Sequence, residues 1–186
     1  MRTELEKKST LGRASGKDLQ GFPEERSLLE QDPLVQEMNE LLANEYLLFT
    51  KTLNYHWNMV GPRFYSLHVF LEGQYKQLLE MTDEVAERIR FLEGRPVSTL
   101  KEMKMEGSLP EEPGHFPASR QMLAELYEAH RDIDRQIAEI LQTEGAGRPD
   151  PVTEDVLIGL LRRHQKMMWM LGSHLESDED ASEQIN

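Results

Sequence analysis

Apolar residues recur every three to four positions over four long stretches of this chain, a period that predicts four amphipathic helices and no strand. The first opens at Asp32-Pro33, an N-cap with proline in the first turn, and stops at Gly61-Pro62 after about 27 residues. The second opens at Ser66 and runs to about Leu92, where Gly94 and Pro96 end it. Ser119 opens the third, roughly Arg120 to Thr143, which GAGRPDP terminates. The fourth takes Asp150 or Thr153 as its cap and runs to about Leu175. Between the second and third, STLKEMKM (98–105) predicts a short extra helix.

On the third helix Met122, Leu126, Ile133, Ile137 and Ile140 form one stripe, and on the fourth Leu157, Leu161, Met168, Leu171 and Leu175 do the same. The first helix carries two apolar rows: Met38, Leu42, Phe49 and Leu53, and Leu34, Leu41, Leu48 and Tyr55. One row faces the bundle; the other wants either a partner subunit or a thick bundle core. The expected fold is therefore all-α, a four-helix bundle over 32–175. Before it, residues 1–31 are polar and aperiodic, with Gly12, Gly16, Gly21 and Pro23, and read as a flexible arm. After it, 176–186 read as an acidic, disordered tail.

Composition narrows the chemistry. The 186 residues suit one domain. With no cysteine, disulfides and thiolate chemistry are excluded, and any metal must be held by nitrogen and oxygen. A net charge of -13 argues against nucleic-acid binding by the folded body and favours cations. No apolar run approaches the roughly 18 residues of a membrane span, and no apolar stretch follows the charged start. A soluble, cytoplasmic protein with no membrane partner is expected.

The second helix holds the candidate chemistry. His68, Glu72, Asp83 and Glu87 fall at roughly 0°, 40°, 60° and 100° around it, while its core stripe, Leu71, Leu78, Val85, Ile89 and Leu92, occupies roughly 240° to 300°. The potential ligands thus point away from their own bundle. Glu72 and Asp83 are roughly 16 Å apart along the axis, too far for one metal centre, so the helix carries two half-sites, His68/Glu72 and Asp83/Glu87. A second copy packed antiparallel about a two-fold axis near residues 77 and 78 would join the half-sites into two complete ones. His56, at the end of the first helix, adds a second nitrogen. A lone i,i+4 pair of this kind is ordinarily a solvated face, but four ligand-type residues on one non-core face, around an apolar centre at Leu79, form a pattern. Two imidazoles with three carboxylates suit iron, Fe(II) and Fe(III); zinc and manganese are chemically compatible.

The remaining histidines carry less. His164 falls on the fourth helix's stripe and His130 at the edge of the third's, and both read as core or edge residues. His115 and His174 are expected to be solvated, and Trp57 and Trp169 to be core aromatics. The only Glu-x-x-His, Glu112 to His115, lies in a Pro-Gly loop, so no metal site is expected inside the bundle.

The stretch NYHWNMVGPRFYSLHVFLEGQYKQLLEMTDEVAERIRFLEGRP (54–96) resembles the Dps family, the mini-ferritins that protect DNA in starved or oxidatively stressed bacteria. His-Trp, Gly-x-x-Phe, a histidine with an acid four on, and Asp-x-x-x-Glu carry the resemblance, and helix order extends it from about Leu34 to Leu175. It implies a ferritin-like bundle assembled into a hollow dodecamer with ferroxidase sites at its dimer interfaces. His56, His68 and Glu72 would come from one subunit, and Asp83 and Glu87 from its mate. The implied activity is oxidation of Fe(II), preferably by hydrogen peroxide and otherwise by dioxygen, with ferric mineral stored inside the shell. The acid at 72 is Glu where many members have Asp. Asp155 matches an acid of the family's three-fold iron-entry pore, with Asp150 and Glu154 as neighbours for which helix capping is the competing role. Trp57 follows a site histidine as it does in the family, where it lies close enough to quench radicals; core packing is its plainer role. The alternative function is DNA coating at the nucleoid, through Arg2, Lys7, Lys8, Arg13 and Lys17 of the arm. Glu4, Glu6 and Asp18 offset that charge, so DNA is expected to bind weakly and with strong salt dependence.

Overall fold

The computed structural model describes residues 32–176; the arm with its five basic residues, and the tail from 177 on, lie outside the described residues. Every regular element among the described residues is helical: α1 (Pro33–Asn58), α2 (Phe64–Phe91), the short α3 (Leu100–Glu106), α4 (Ser119–Gln142) and α5 (Pro151–Leu175), with one 3-10 turn (Gly145–Gly147) before α5.

Local chemistry sets the ends. The Asp32 carboxylate accepts from Leu34 N and caps α1. Thr99 and Glu102 form a reciprocal capping box for α3. Asp150 caps α5 by accepting from Val152 N and Thr153 N, with Pro151 in the first turn. The start of α2 differs from expectation. The helix begins at Phe64, and Ser66 sits inside its first turn, its hydroxyl donating to the Arg63 carbonyl at 3.0 Å instead of capping. At the other end Glu93 turns left-handed (φ 60°) and Gly94 comes so close to α1 that a Cβ there would lie 2.5 Å from a Val35 methyl.

Side-chain contacts give the topology. Phe49 meets Tyr75 and His56 meets His68, so α1 and α2 form an antiparallel hairpin. Asn44 reaches Gln136 and Tyr55 reaches Glu125, which sets α4 antiparallel to α1. Glu84 binds Arg163 and Arg88 binds Asp150, so α5 is antiparallel to α2. Each long helix thus runs against both its neighbours, an arrangement that needs a long crossover between α2 and α4. Two buried asparagines of α1 hold that crossover. The Asn39 amide takes Val97 N and donates to Arg95 O, and Asn44 takes Ser108 N and Leu109 N while donating to Ser108 Oγ. Neither could be apolar without leaving buried backbone groups unpaired.

The core is formed by all four long helices. Leu71, Leu78, Val85 and Ile89 of α2 are fully buried, which leaves the ligand side of that helix outward as expected. Both apolar rows of α1 are covered within the one chain: Leu34, Leu41, Leu48 and Tyr55 are buried, as are Met38 and Leu42, with Phe49 and Leu53 half-buried. The second row therefore needs no partner subunit. On α5 the buried line is Leu157, Leu160, His164, Met167 and Leu171, about 40° round from the expected stripe, with Leu161 and Met168 at its half-buried edge. Trp57 and Trp169 are 68% and 70% exposed, not core aromatics, because each lies well over 100° from the centre of its helix's buried arc.

One polar chain crosses this core. Glu45 of α1, His164 of α5 and His130 of α4 are all completely buried. Glu45 Oε1 lies 2.7 Å from His164 Nε2, and His164 Nδ1 lies 2.8 Å from His130 Nδ1. The two facing nitrogens share one proton, since a bond between them needs one donor and one acceptor. Burial, and then the neighbouring His164, push the His130 imidazole well below its ordinary range. The folded state therefore binds fewer protons at His130 than the unfolded chain, whose imidazole titrates near the ordinary value. Stability from this source is fully present above that value and is lost as pH falls toward the depressed one. At fixed protein concentration the urea midpoint should drop between pH 7.5 and 5.5. In His130→Leu the drop should be smaller, even though that variant loses about 2 kcal/mol at pH 7.5 by stranding His164 Nδ1. An undiminished drop would remove His130 from the account.

Candidate metal centre

The hairpin between α1 and α2 brings His56, in the last turn of α1, against His68, in the second turn of α2. Their rings stack at 3.7 Å between centroids and 18° between planes. Each is fixed by the other's backbone: His56 Nδ1 lies 2.9 Å from His68 O, and His68 Nδ1 lies 3.0 Å from His56 O. A carbonyl can only accept, so both Nδ1 atoms carry the proton and both Nε2 atoms keep a lone pair. This tautomer leaves Nε2 able to bind a metal and is held by hydrogen bonds to the main chain. Phe64 stacks at 5.0 Å on His68 and the Tyr75 ring meets His56 edge-on at 5.1 Å, closing the pair between aromatic walls.

Glu72, one turn beyond His68, belongs to the same electrostatic group. Its carboxyl is held below the usual carboxylate range, chiefly by the Lys76 ammonium that hydrogen-bonds to it, with His56 and His68 adding smaller pulls. Asp83 and Glu87 are exposed on the same side of α2 about three to four turns on. Among the described residues no three side chains of ligand type converge closely enough to hold an ion. The structure thus brings His56, His68 and Glu72 to one end of the α2 face and leaves Asp83 and Glu87 at the other, about 16 Å along the axis from Glu72. Between them the face is open and mixed: Leu79 is 51% exposed at its centre with Lys76 beside it, and Tyr65 and Val69 are exposed beside the histidine end.

The acids at the start of α5 separate. Asp150 accepts from two backbone amides and from Thr153 Oγ1 at 2.6 Å, and pairs with Arg88 at 2.5 Å. These contacts, the Thr153 hydroxyl first, hold its carboxyl far below the ordinary range. Its lone pairs are engaged in capping. Glu154, in the first turn, pairs with Arg148 at 3.6 Å, and Asp155 is exposed where the second turn begins.

Two histidines expected to be solvated are partly covered and partnered. His115 Nε2 lies 3.0 Å from Glu125 Oε1, beside a cavity of about 490 Å³ lined by Tyr55, Glu111, His115, Glu125, Glu128 and Asp132. The acids there are already partnered: Glu125 by Tyr55, His115 and Gln121, Glu111 by Lys104, Glu128 by Arg131 and Asp132 by Arg135. His174 packs at 4.7 Å on Phe70, and burial followed by Arg63 lowers its imidazole from the ordinary value. The sequence reading also missed Glu45, whose signal was an acid in line with Met38 and Leu42.

Comparison with known proteins gives this geometry a setting. The model of the ferritin-like domain matches residues 35–181. A DNA protection during starvation protein of Listeria innocua is 34% identical over 142 residues, 74% of this chain and 88% of that protein. The crystal structure of Dps from Staphylococcus aureus has a TM-score of 0.71 at 36% identity, covering 78% of this chain and 96% of that one. A Dps protein of Vibrio cholerae, described as a member of a broad superfamily of ferritin-like diiron-carboxylate proteins, has a TM-score of 0.71 at 30% identity over 77% of this chain and 89% of that one.

The tautomers are directly measurable. Long-range proton–nitrogen correlation spectra of metal-free protein with labelled histidine, at a pH where both rings are neutral, should place the proton of His56 and of His68 on Nδ1. An Nε2–H form at either ring would break the reciprocal lock described above.

Proposed function

From the premise that the chain belongs to the Dps branch of the ferritin-like family, we propose that it is a ferroxidase and iron store whose sites are completed between two subunits. The observation that carries this reading is the division of the ligands. His56, His68 and Glu72 sit at one end of an exposed helix face, Asp83 and Glu87 at the other, and neither group closes on an ion alone. An antiparallel partner about an axis near residues 77 and 78 supplies to each end what it lacks, and the exposed apolar centre at Leu79 is what such a contact would bury.

Fe(II) is the substrate. The imidazole nitrogens suit the ferrous ion, and the hard carboxylate oxygens favour the ferric product and so draw the oxidation forward. Two ferrous ions each yield one electron to a hydrogen peroxide molecule, whose O–O bond breaks to two hydroxides; dioxygen is the slower alternative oxidant. Hydrolysis of the ferric ions to oxyhydroxide releases protons and deposits mineral in the interior of a dodecameric shell. Removing Fe(II) and peroxide together suppresses hydroxyl-radical formation, which protects DNA without touching it. Glu154 and Asp155 would line the iron entry, with Asp150 and Arg88 fixing the helix start that presents them. DNA itself is a weak partner, through Arg2, Lys7, Lys8, Arg13 and Lys17, opposed by a net charge of -13. Among the described residues no helix is long and apolar enough to cross a membrane, and a cytoplasmic place accords with that.

In stopped-flow mixing of iron-free protein, Fe(II) and peroxide, the double variant His56→Ala/Glu87→Ala should oxidise iron about a hundredfold more slowly than the natural protein; an unchanged rate would overturn the assignment. Shells co-assembled from equal amounts of His68→Ala and Asp83→Ala subunits provide a sharper check. Each variant alone has no intact site, but half of the randomly formed dimers are mixed and each of these holds one intact site, so about a quarter of the activity should return. No recovery in mixed shells would mean that the ligands come from a single chain.

A further inference from the structure

Lys76 occupies a position on the ligand face that the ferroxidase reading leaves without a role. It lies one turn beyond Glu72, and its ammonium is hydrogen-bonded to Glu72 Oε1, the two side chains being 60% and 38% exposed. The carboxylate expected to receive a metal ion therefore already holds a cation. Glutamate followed four residues later by lysine is the favourable order for such a pair on a helix, so the contact forms without help from tertiary structure.

The shared-site register, in which His68 stands opposite Glu87 and Glu72 opposite Asp83, puts Lys76 opposite Leu79 of the partner subunit. It is then the cationic residue of this face nearest the two-fold axis, at the inner edge of both sites. Each complete site gathers the carboxylates of Glu72, Asp83 and Glu87, and one ammonium beside them offsets part of their mutual repulsion while no metal is bound.

We propose that Lys76 is a displaceable counter-cation, which neutralises Glu72 in the empty site and yields it to an entering divalent cation, thereby setting the affinity of the site without ligating the metal. This rests on the shared-site reading. The chemistry of lysine fits the role: a strongly hydrated point charge on a flexible four-carbon stem can withdraw to solvent when a doubly charged ion competes for the same oxygens. An arginine at this position would grip the carboxylate through a planar fork and withdraw less readily. The pair is exposed, so its contribution is modest and sensitive to salt.

The test uses Zn(II), which is redox-inert, titrated calorimetrically into the full-length assembled protein without oxidant. Lys76→Met should bind Zn(II) about fivefold more tightly at low ionic strength, the ratio that an exposed ion pair at the top of its usual range would produce. The advantage should shrink toward unity in high salt. Lys76→Arg should bind more weakly than the natural protein. Metal-free Lys76→Met should melt at a lower temperature than metal-free natural protein, yet gain more in melting temperature when zinc is added. If the natural protein binds no zinc that His56→Ala abolishes, the shared site itself fails and this proposal with it. If the natural protein binds zinc and the Lys76→Met isotherm coincides with its own at low salt, the proposal fails alone.

Discussion

Two hydrogen bonds, each from an imidazole Nδ1–H to the other histidine's main-chain carbonyl, hold His56 and His68 face to face where α1 meets α2. Much else follows from that contact. It fixes the crossing of the hairpin at its turn, since the last turn of one helix and the second turn of the other are tied by side chain to backbone. It selects one tautomer for both rings, which presents two lone pairs and no N–H to an incoming cation. Because the acceptors are backbone atoms, the lock survives any change of neighbouring side chain that leaves the hairpin intact. Phe64 stacks on His68 and Tyr75 meets His56 edge-on, so the pair is flanked by aromatic rings on both sides.

The same chain places an acid and two histidines inside the bundle, yet these do not make a metal site. His164 uses both of its nitrogens, Nε2 toward Glu45 and Nδ1 toward His130, so the three groups lie in a line instead of around a point. A metal would have to break both hydrogen bonds in a completely buried region, stranding polar atoms there. The linear arrangement ties α1, α4 and α5 together. Asn39 and Asn44 do comparable work for the crossover, converting buried amides of α1 into anchors for a long segment with little secondary structure of its own.

How legible this was in the sequence depended on the kind of feature. Helices were readable to within a few residues because capping chemistry and breakers, Asp32-Pro33, Gly61-Pro62 and Asp150-Pro151, are local. The outward turn of His68, Glu72, Asp83 and Glu87 is legible because Leu71, Leu78, Val85, Ile89 and Leu92 on the other side of α2 fix its phase. On α5 the phase was misjudged by about 40°, because Leu160 and Leu161, and Met167 and Met168, are adjacent pairs that serve two stripes almost equally, and the arbiter is the buried His164, a polar residue. Trp57 and Trp169 were misplaced by hydrophobicity alone, against their angular positions. Between the two readings of the second apolar row of α1, partner subunit or thick core, the sequence alone does not choose, because the cover provided by the other helices and the crossover is a tertiary fact. Glu45 went unread for a related reason: an acid in an apolar row is meaningful only when its histidine partner, 119 residues away, is known.

On the proposed reading, a divided site also ties chemistry to assembly. Neither half can hold an ion alone, so an unassembled subunit would bind Fe(II) poorly and would not expose a half-finished redox centre to the cell. A cation that binds only the joined form adds its binding free energy to that form, and so strengthens the contact that created its site. Glu72 gives this coupling a particular character. Its extra methylene, relative to aspartate, lets the carboxylate lean along the helix toward Lys76, while the same reach lets it turn toward an ion beside His56 and His68. If Glu72 is a ligand as proposed, it is poised between two cations, one covalently attached to its own helix and one in solution. Which of them it holds depends on whether the opposite half-site is in place to make the divalent ion the better partner.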